Sequence, residues 1–291
     1  MRCRAWTTAE YSTRQAMMDK KRELVRDVLA VTVVALYVLP IIWWILSAFT
    51  PSDALLDIGR MMRLDFTPTL DNFALTIFGA GGTIFSSGAS LRDSVIVALL
   101  STMIVLFAAL PMAHALSVFR FRGQHVLLRT VLLQRFLPPI AIIFPLVSAY
   151  HTVGLLDTRL GVALAHAALN LPFAVLMLKS FFDDVPPEVA EAAKLDGATH
   201  RQSFFRVILP LVKGGIAATA ILCFIFSWTE FLLSLFLTQN LRLMPVQAGI
   251  LVMNMWGLIS ALTTTALIPA FIFVMLVQKH LVRGLTMGLY K

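Results

Sequence analysis

Residues 186–212 read PPEVAEAAKLDGATHRQSFFRVILPLV and form a polar stretch in a chain that is otherwise mostly apolar. Long apolar runs lie on both sides of it, at Leu160–Leu178 and Gly215–Leu237. Runs of about 20 apolar residues are long enough to cross a lipid bilayer as a helix. The stretch is therefore predicted to be a loop anchored between two membrane spans.

The first part of this loop has the signals of a short helix. Pro187 suits the first helical position, where its fixed φ is favourable and its missing N–H is not needed. Glu188 and Glu191 favour the positive end of the helix dipole. Gly197, directly after Asp196, is a stop signal, because glycine readily takes the left-handed conformation that ends helices.

A second short helix is expected to begin at once. Thr199 followed three residues later by Gln202 is a capping-box pattern, in which each side chain binds the backbone N–H of the other residue. Pro210 is expected to close this helix. The loop, bounded at residues 183–211, is therefore predicted to consist of two short helices bent at Gly197.

The composition places the whole chain in a membrane. Hydrophobic residues make up 58% of the 291 residues and charged residues only 14%, well outside the balance of soluble proteins. The formal net charge of +8 would suggest nucleic-acid binding in a soluble chain, but here the basic residues cluster at the ends of apolar runs. Cys3 and Cys223, the two cysteines, imply neither a disulfide framework nor a metal site.

An all-α integral membrane protein with six transmembrane helices is predicted. A polar, basic segment precedes the first apolar run and lacks the features of a cleaved signal peptide. The sixteen residues at the N-terminus show little periodicity, which leaves open a disordered tail or a true start at Met17 or Met18. The apolar runs are Leu29–Phe49, Ser94–Phe119, Val131–Tyr150, Leu160–Leu178, Gly215–Leu237 and Leu258–Gln278.

The predicted organisation follows from these runs. A cytoplasmic tail (1–27) and the first span (28–49) are followed by a periplasmic segment (50–93), a core of five spans (94–282) and a C-terminal cytoplasmic tail (283–291). Prolines inside the third span, Pro138 and Pro139, are expected to be tolerated there because neighbouring helices satisfy freed backbone groups. Residues 238–257 are predicted to be a loop.

The distribution of basic residues predicts the orientation. If both termini are cytoplasmic, 18 of the 24 Lys and Arg residues lie in cytoplasmic segments, five lie in periplasmic ones, and Arg135 lies within a span. An excess of Lys and Arg on the cytoplasmic side is the rule for membrane proteins. This orientation also places the loop around Glu191 in the cytoplasm.

The loop resembles the EAA loop of the membrane subunits of bacterial ABC importers. The matching residues are Glu191-Ala192-Ala193, Gly197 and Val207-Ile208-Leu209-Pro210, with Val207 in place of the usual isoleucine. In that family the loop is the socket for a cytoplasmic ATPase. The ATPase-coupling residues implied by the resemblance are Glu191, Ala192, Ala193, Asp196, Gly197, Leu209 and Pro210. The other interpretation is an ordinary amphipathic connector.

Three further stretches resemble the carbohydrate-uptake permeases of this family. Asp196-Gly197-Ala198 has the form typical of those permeases, and Asp71-Asn72-Phe73 looks like their LDNF/Y motif. Residues 278–286, QKHLVRGLT, are similar to their C-terminal sequence. The resemblance implies the type I ABC importer permease fold and the second permease subunit of a transporter for a sugar, an oligosaccharide or a polyol.

The resemblance also implies an assembly. Its expected members are this chain, a second homologous permease, two ATP-binding cassette ATPase subunits and an extracytoplasmic substrate-binding protein. ATP and Mg²⁺ are expected on the ATPase, and this chain is expected to bind no cofactor and to be no enzyme. Residues 238–257 are expected to contact the binding protein or the incoming substrate.

The sequence itself has no signature of an energy-coupling enzyme. It contains no Walker A motif, no His-Glu-x-x-His motif and no cluster of His and Cys. Energy must therefore come from a partner or from an ion gradient. A proton-coupled secondary transporter that uses Glu230, His166 and Arg135 is the alternative, but no inverted repeats support it. A membrane receptor or scaffold explains less.

Several polar residues within the spans are candidates for the translocation path, namely Glu230, Asn170 and His166. A charged group at mid-span costs about 2.5–3.5 kcal/mol on insertion scales, so Glu230 should face protein or water. It either lines the passage or ties two helices together. Its surroundings resemble the W-N-E/D-F motif of sugar permeases, with Thr229 in place of Asn. Arg135 is expected to snorkel towards the membrane surface.

Overall fold

The computed structural model describes residues 3–55, 57–79, 87–119, 121–134, 136–250 and 255–287. Side chains are described in these ranges except at 3–19, 58, 250 and 277–287. Arg135 lies outside the described residues. Within them the structure is helical, with the segments α1 Cys3–Ala48, α2 Ser52–Leu55, α3 Ile58–Met62, α4 Asp71–Phe78, α5 Ser87–Val118, α6 Gln124–Gln134, α7 Pro139–Thr152, α8 Arg159–Asp183, α9 Pro187–Leu195, α10 His200–Ser203, a π-helix Phe204–Ile208, α11 Leu209–Leu211, α12 Lys213–Trp228, α13 Leu232–Leu237, α14 Met244–Ile250 and α15 Trp256–Met287.

Four of the described helices are long and apolar enough to cross a membrane. Two pairs of bent helices pass the same test when each pair is taken as one span, which raises the number to six. One pair is α6 with α7, bent by 96°, and the other is residues 200–211 with α12, bent by 74°. The four single helices are Lys20–Ala48, Ser87–Val118, Arg159–Asp183 and Trp256–Leu276.

Two of the six expected spans are not continuous helices. The third is interrupted between Gln134 and Pro139, because proline lacks the N–H that helical bonding needs and disfavours a helical conformation in the residue before it. Pro138 and Pro139 thus lie at a bend of the expected third span, and α6 and α7 together still pass as one span. The fifth expected span is interrupted as well, because α12 ends at Trp228 and the next helix, α13, begins at Leu232.

Other helix ends differ from the apolar runs. Helix α1 begins at Cys3 and is continuous through the segment that showed little periodicity. Helix α5 begins at Ser87, seven residues before the run that predicted it. Residues 238–257 are not all loop, since α14 lies within them. Polar residues next to an apolar run extend a helix without changing the hydrophobic pattern, so the pattern does not locate these ends.

The centre of the bundle is the contact between α5 and α8, the most extensive between any two described helices. Small side chains line it: Ala109 and Ala113 of α5 and Ala174 of α8 are fully buried. Small residues allow helix backbones to approach closely in membrane proteins, where packing rather than water exclusion drives association. Gly215 of α12 also allows a close approach, because a Cβ at this position would clash with the ring of Phe181.

Among the residues of α1 whose side chains are described, those at its C-terminal end contact the bundle. Its apolar side chains from Leu24 to Trp43 are largely exposed, as expected for a helix that faces lipid. At its C-terminal end, the buried side-chain amide of Asn72 donates hydrogen bonds to the carbonyls of Ala48 at 3.0 Å and Thr50 at 2.9 Å. Asn72 thereby satisfies carbonyls that a helix end leaves without a partner.

Candidate functional site

Residues 186–212 fold as the sequence predicts in their first half. Pro187 is the first residue of α9, and Glu188 lies in the first turn. Gly197 has φ +81, and a Cβ built on it meets nothing within 4 Å. Its requirement for glycine is therefore conformational rather than steric. The amides of Gly197 and Ala198 donate to the carbonyls of Lys194 at 3.0 Å and Ala193 at 2.9 Å, which closes the helix end.

The second short helix begins at the predicted capping box. The backbone N–H of Thr199 donates to Gln202 Oε1 at 2.9 Å, and the N–H of Gln202 donates to Thr199 Oγ1 at 3.3 Å. Both interactions satisfy amides at the start of α10 that have no helical partner. The prediction of two short helices bent at Gly197 is confirmed.

The end of the second helix was not predicted. Residues Phe204–Ile208 form a π-helix, in which the N–H of Leu209 donates to the carbonyl of Phe204. Pro210 follows at once and has no N–H to offer, so regular α-helical bonding is interrupted at this point. The chain continues through Leu211 and bends at Val212 instead of closing at Pro210.

The two faces of this segment have different surroundings. Ala193, Ile208 and Val212 are buried, and the latter two belong to the hydrophobic core formed by α5, α8 and α12. Phe204 packs on His114 of α5, with ring centroids 4.6 Å apart. A movement of residues 186–212 would therefore displace side chains that pack directly against α5, α8 and α12.

The opposite face of residues 186–212 is exposed to solvent. Glu191, Ala192, Asp196 and Gly197 are exposed, and so is Leu195, whose exposed fraction is 89%. Leu195 is flanked by the charged residues Lys194 and Asp196, so this face presents one apolar side chain among charged ones. Of the other predicted coupling residues, Pro210 is exposed and Leu209 is half-buried.

A second candidate site is a polar cluster between α8 and the break after α12. His166 of α8 is fully buried, and its Nδ1 lies 2.8 Å from Ser227 Oγ. Its Nε2 lies 3.1 Å from Ser234 Oγ and 3.2 Å from Oε2 of Glu230. Both nitrogens of this buried imidazole are thus satisfied, as buried polar groups require.

Glu230 also holds the start of α13. Its carboxylate accepts the backbone N–H of Leu233 at 3.0 Å and that of Ser234 at 3.1 Å, while its side chain is only 16% exposed. A carboxylate at a helix N-terminus satisfies amides without partners and complements the helix dipole. The break at residues 229–231 therefore has a cause, since the Glu230 side chain begins a new helix.

The structure brings the three predicted path residues to one interface. Asn170 lies one turn after His166 on α8, and its Nδ2 lies 3.5 Å from the carbonyl of Cys223 on α12. The contacts of His166 tie α8 to α12 and α13, and Glu230 joins this tie through His166 while its other hydrogen bonds hold the start of α13. Contact of these residues with a transported molecule stays a prediction.

The sequence did not predict several polar contacts near the N-terminal end of α8. Asp93 is 6% exposed and accepts from Arg159 at 2.9 Å, which joins the starts of α5 and α8. Asp157 accepts hydrogen bonds from the backbone of residues 239–241. The only sequence signal was one acidic residue at the end of the long polar segment 50–93, for Asp93, and one in a short polar connection, for Asp157. Across the described part of the chain, no three His, Cys, Asp or Glu residues are grouped to hold a metal.

Comparisons with known proteins agree with this architecture. Residues 104–287 match the family described as "Binding-protein-dependent transport system inner membrane component". The "Trehalose transport system permease protein SugB" of Mycobacterium tuberculosis is 33% identical over 94% of this chain and 100% of that protein. The "Trehalose/maltose transport system permease protein MalG" of Thermococcus litoralis is 28% identical over 90% of this chain and 94% of that protein.

A solved structure has the same fold. It is a bacterial ABC transporter involved in the import of the acidic polysaccharide alginate, and one of its chains superposes with a TM-score of 0.71. The match covers 90% of this chain and 96% of that one at 21% sequence identity. The helical bundle therefore has a fold that is already known from a bacterial ABC transporter.

Proposed function

Because this chain belongs to the family of binding-protein-dependent transport system inner membrane components, we propose that it is a permease subunit of an ATP-driven importer for a sugar, an oligosaccharide or a polyol. Its relatives are named as trehalose and maltose permeases, which supports the substrate class. The proposal rests on the structure of residues 186–212. One face of this segment packs into the hydrophobic core, and the opposite face is exposed to solvent and available to a partner.

The proposed assembly contains this chain, a second homologous permease, two ATPase subunits that bind ATP and Mg²⁺, and an extracytoplasmic substrate-binding protein. The exposed residues Glu191, Leu195 and Asp196 would contact the ATPase. Closure of the ATPases on ATP would push α9, and the contact of Phe204 with His114 would transmit this movement to α5. Rigid-body movement of the spans would then switch the passage from inward-open to outward-open.

The alternative is a proton-coupled transporter that uses Glu230. The contacts of Glu230 argue against it, because both carboxylate oxygens accept backbone N–H groups at the start of α13. A relay residue must release and take up a proton, whereas both oxygens of this carboxylate are already engaged as acceptors at a helix start. Arg135, the third member of that relay, lies outside the described residues.

A transport assay decides between these functions. The complex that co-purifies with the tagged chain is reconstituted in proteoliposomes, and uptake of radiolabelled trehalose and maltose is measured. We expect uptake that requires ATP on the ATPase side and continues in the presence of a protonophore. Uptake driven by a proton gradient without ATP would instead support the alternative.

The orientation makes a separate prediction. With both termini cytoplasmic, alkaline phosphatase fused at His125 or after Lys291 should be inactive, and a fusion at Asn240 should be active. The expectation follows from the excess of Lys and Arg in the segments assigned to the cytoplasm. Active enzyme at His125, with inactive enzyme at Asn240, would mean that the chain is inverted.

The proposed contact of residues 238–257 with the binding protein can be tested by cross-linking from a position whose side chain is exposed. Gln247 is only 3% exposed and is therefore a poor attachment point for a cross-linker. Asn254 lies outside the described residues. Gln239 and Asn240 are exposed and are the better positions.

A further inference from the structure

The connection between α7 and α8 holds the loop between α13 and α14 through one side chain, Asp157. Its Oδ1 accepts the backbone N–H groups of Gln239 at 2.8 Å, Asn240 at 3.1 Å and Leu241 at 2.9 Å. Its Oδ2 accepts the side-chain amide of Asn240 at 2.9 Å. The N–H of Asp157 itself donates to the carbonyl of Leu237 at 2.9 Å.

Asp157 takes an unusual backbone conformation to make these contacts. Its φ is +59, one of two positive values at non-glycine positions among the described residues. Most residues disfavour this left-handed conformation, although Asp and Asn adopt it more readily than others. Burial raises the pKa of the Asp157 carboxyl, but the backbone N–H groups of Gln239 and Leu241 outweigh burial and hold the pKa below its ordinary value. The carboxylate is thus ionised when it binds the loop.

The other end of the same loop is also fixed. The N–H of Met244, the first residue of α14, donates to the buried Ser94 Oγ at 2.7 Å. At the first attachment the side chains of Gln239 and Asn240 are exposed. The loop therefore presents polar side chains from a backbone that is bonded at residues 239–241 and again at residue 244.

This loop lies far from the segment of residues 186–212. Asp157 precedes the start of α8, whose 25 residues end at Asp183, just before that segment. A helix rises about 1.5 Å per residue, so the two sites are separated by most of the bilayer thickness. The loop is consequently on the side that the proposed function assigns to the binding protein.

We propose that Asp157 is a positioning residue that holds residues 239–241 as a preformed docking surface for the substrate-binding protein. The proposal rests on the proposed function for the identity of the partner, but not for the hydrogen bonds that define the surface. A loop that is already ordered loses less conformational freedom on binding. If only a tenth of the molecules held the docking conformation, the apparent affinity would fall by about tenfold.

Three substitutions separate the carboxylate from the backbone conformation. Asp157→Ala removes the carboxylate and disfavours positive φ, whereas Asp157→Gly removes the carboxylate and accepts positive φ without strain. Asp157→Asn tolerates the conformation but keeps a single carbonyl oxygen as acceptor. Asp65→Ala is the control, because Asp65 is an exposed aspartate in the segment assigned to the same side.

The first measurement is hydrogen exchange on the purified complex in nanodiscs, without binding protein. The amides of residues 239–241 should exchange at least about tenfold faster in Asp157→Ala and Asp157→Gly than in the wild type, because they open locally. Asp157→Asn should be intermediate, and Asp65→Ala should leave these amides unchanged. Unchanged exchange in Asp157→Gly would overturn the proposal.

The second measurement is ATP hydrolysis as a function of the concentration of the binding protein that co-purifies with the complex. In Asp157→Gly the half-saturating concentration should rise by about tenfold, while the rate at saturation stays within about twofold of the wild type. An unchanged half-saturating concentration, or a lost maximal rate at normal half-saturation, would overturn the proposal. A wild-type complex that no binding protein stimulates would overturn both the docking role and the proposed function. Hydrogen exchange would still show whether Asp157 orders the loop.

Discussion

Replacing Glu230 by alanine is expected to cause the largest loss of stability of any single substitution in the spans. The change removes the acceptor for two backbone amides of α13 and the partner of the buried His166. Each buried hydrogen-bonding group that is left without a partner costs about 1–3 kcal/mol, and the amides of Leu233 and Ser234 both lose their acceptor. Thermal unfolding of the purified chain in detergent should show the loss.

The double variant tests whether Glu230 acts as a tie. If Glu230 and His166 support each other, Glu230→Ala with His166→Ala should be less destabilising than the sum of the single changes. Glu230→Gln is the matched control, since it keeps one acceptor oxygen and the same size. If Glu230 only lines a passage, transport should fall in Glu230→Ala while the unfolding temperature stays at the wild-type value.

A large loss of coupling is expected from substitutions in the segment of residues 186–212. Glu191 is exposed on α9, where its carboxylate can meet a basic group of the ATPase. A hydrogen bond of this charged type contributes about 1.5–3 kcal/mol when partly buried. Glu191→Ala should therefore reduce ATPase binding or substrate-stimulated hydrolysis by about ten- to a hundredfold, since each 1.4 kcal/mol is a factor of ten.

Gly197 should act through the backbone alone. Its φ of +81 costs a side chain about 1–2 kcal/mol, and no neighbouring atom within 4 Å adds a clash. Gly197→Val should be more harmful than Gly197→Ala, because a branched side chain tolerates positive φ least. Gly197→Asn is the matched control and should retain most activity, since asparagine adopts this conformation more readily than other residues.

The measurement for both positions is substrate-stimulated ATP hydrolysis by the reconstituted complex, with the amount of bound ATPase determined in parallel. Membrane insertion should be normal in every variant, because the spans themselves are unchanged. Glu191→Ala should lower the amount of bound ATPase, whereas Gly197→Val should lower turnover per bound ATPase as well. Normal stimulated turnover in both Glu191→Ala and Gly197→Val would reject this segment as the coupling element.

What the sequence determined by itself was local. The length and low polarity of the apolar runs predicted a helical membrane protein, because a run of about 20 apolar residues can form a helix whose backbone hydrogen bonds are all internal, as lipid requires. The turn at Gly197 and the capping box of Thr199 and Gln202 were also predicted, because each depends on residues at most a few positions apart. Most of the residues expected to face an ATPase are exposed, but Leu209 is half-buried and Ala193 is buried, and contact with an ATPase stays a prediction.

Only the tertiary structure decided how distant parts of the chain meet. Asp157 binds a residue 82 positions away and His166 binds one 61 positions away, and no short pattern predicts either pair. The break at Glu230 was also decided by tertiary contacts. The sequence showed a carboxylate that is costly within an apolar run, but it did not show the amides of α13 and the imidazole of His166 that stabilise it. A buried polar group signals that it needs partners. Which partners it obtains depends on which helices pack beside it.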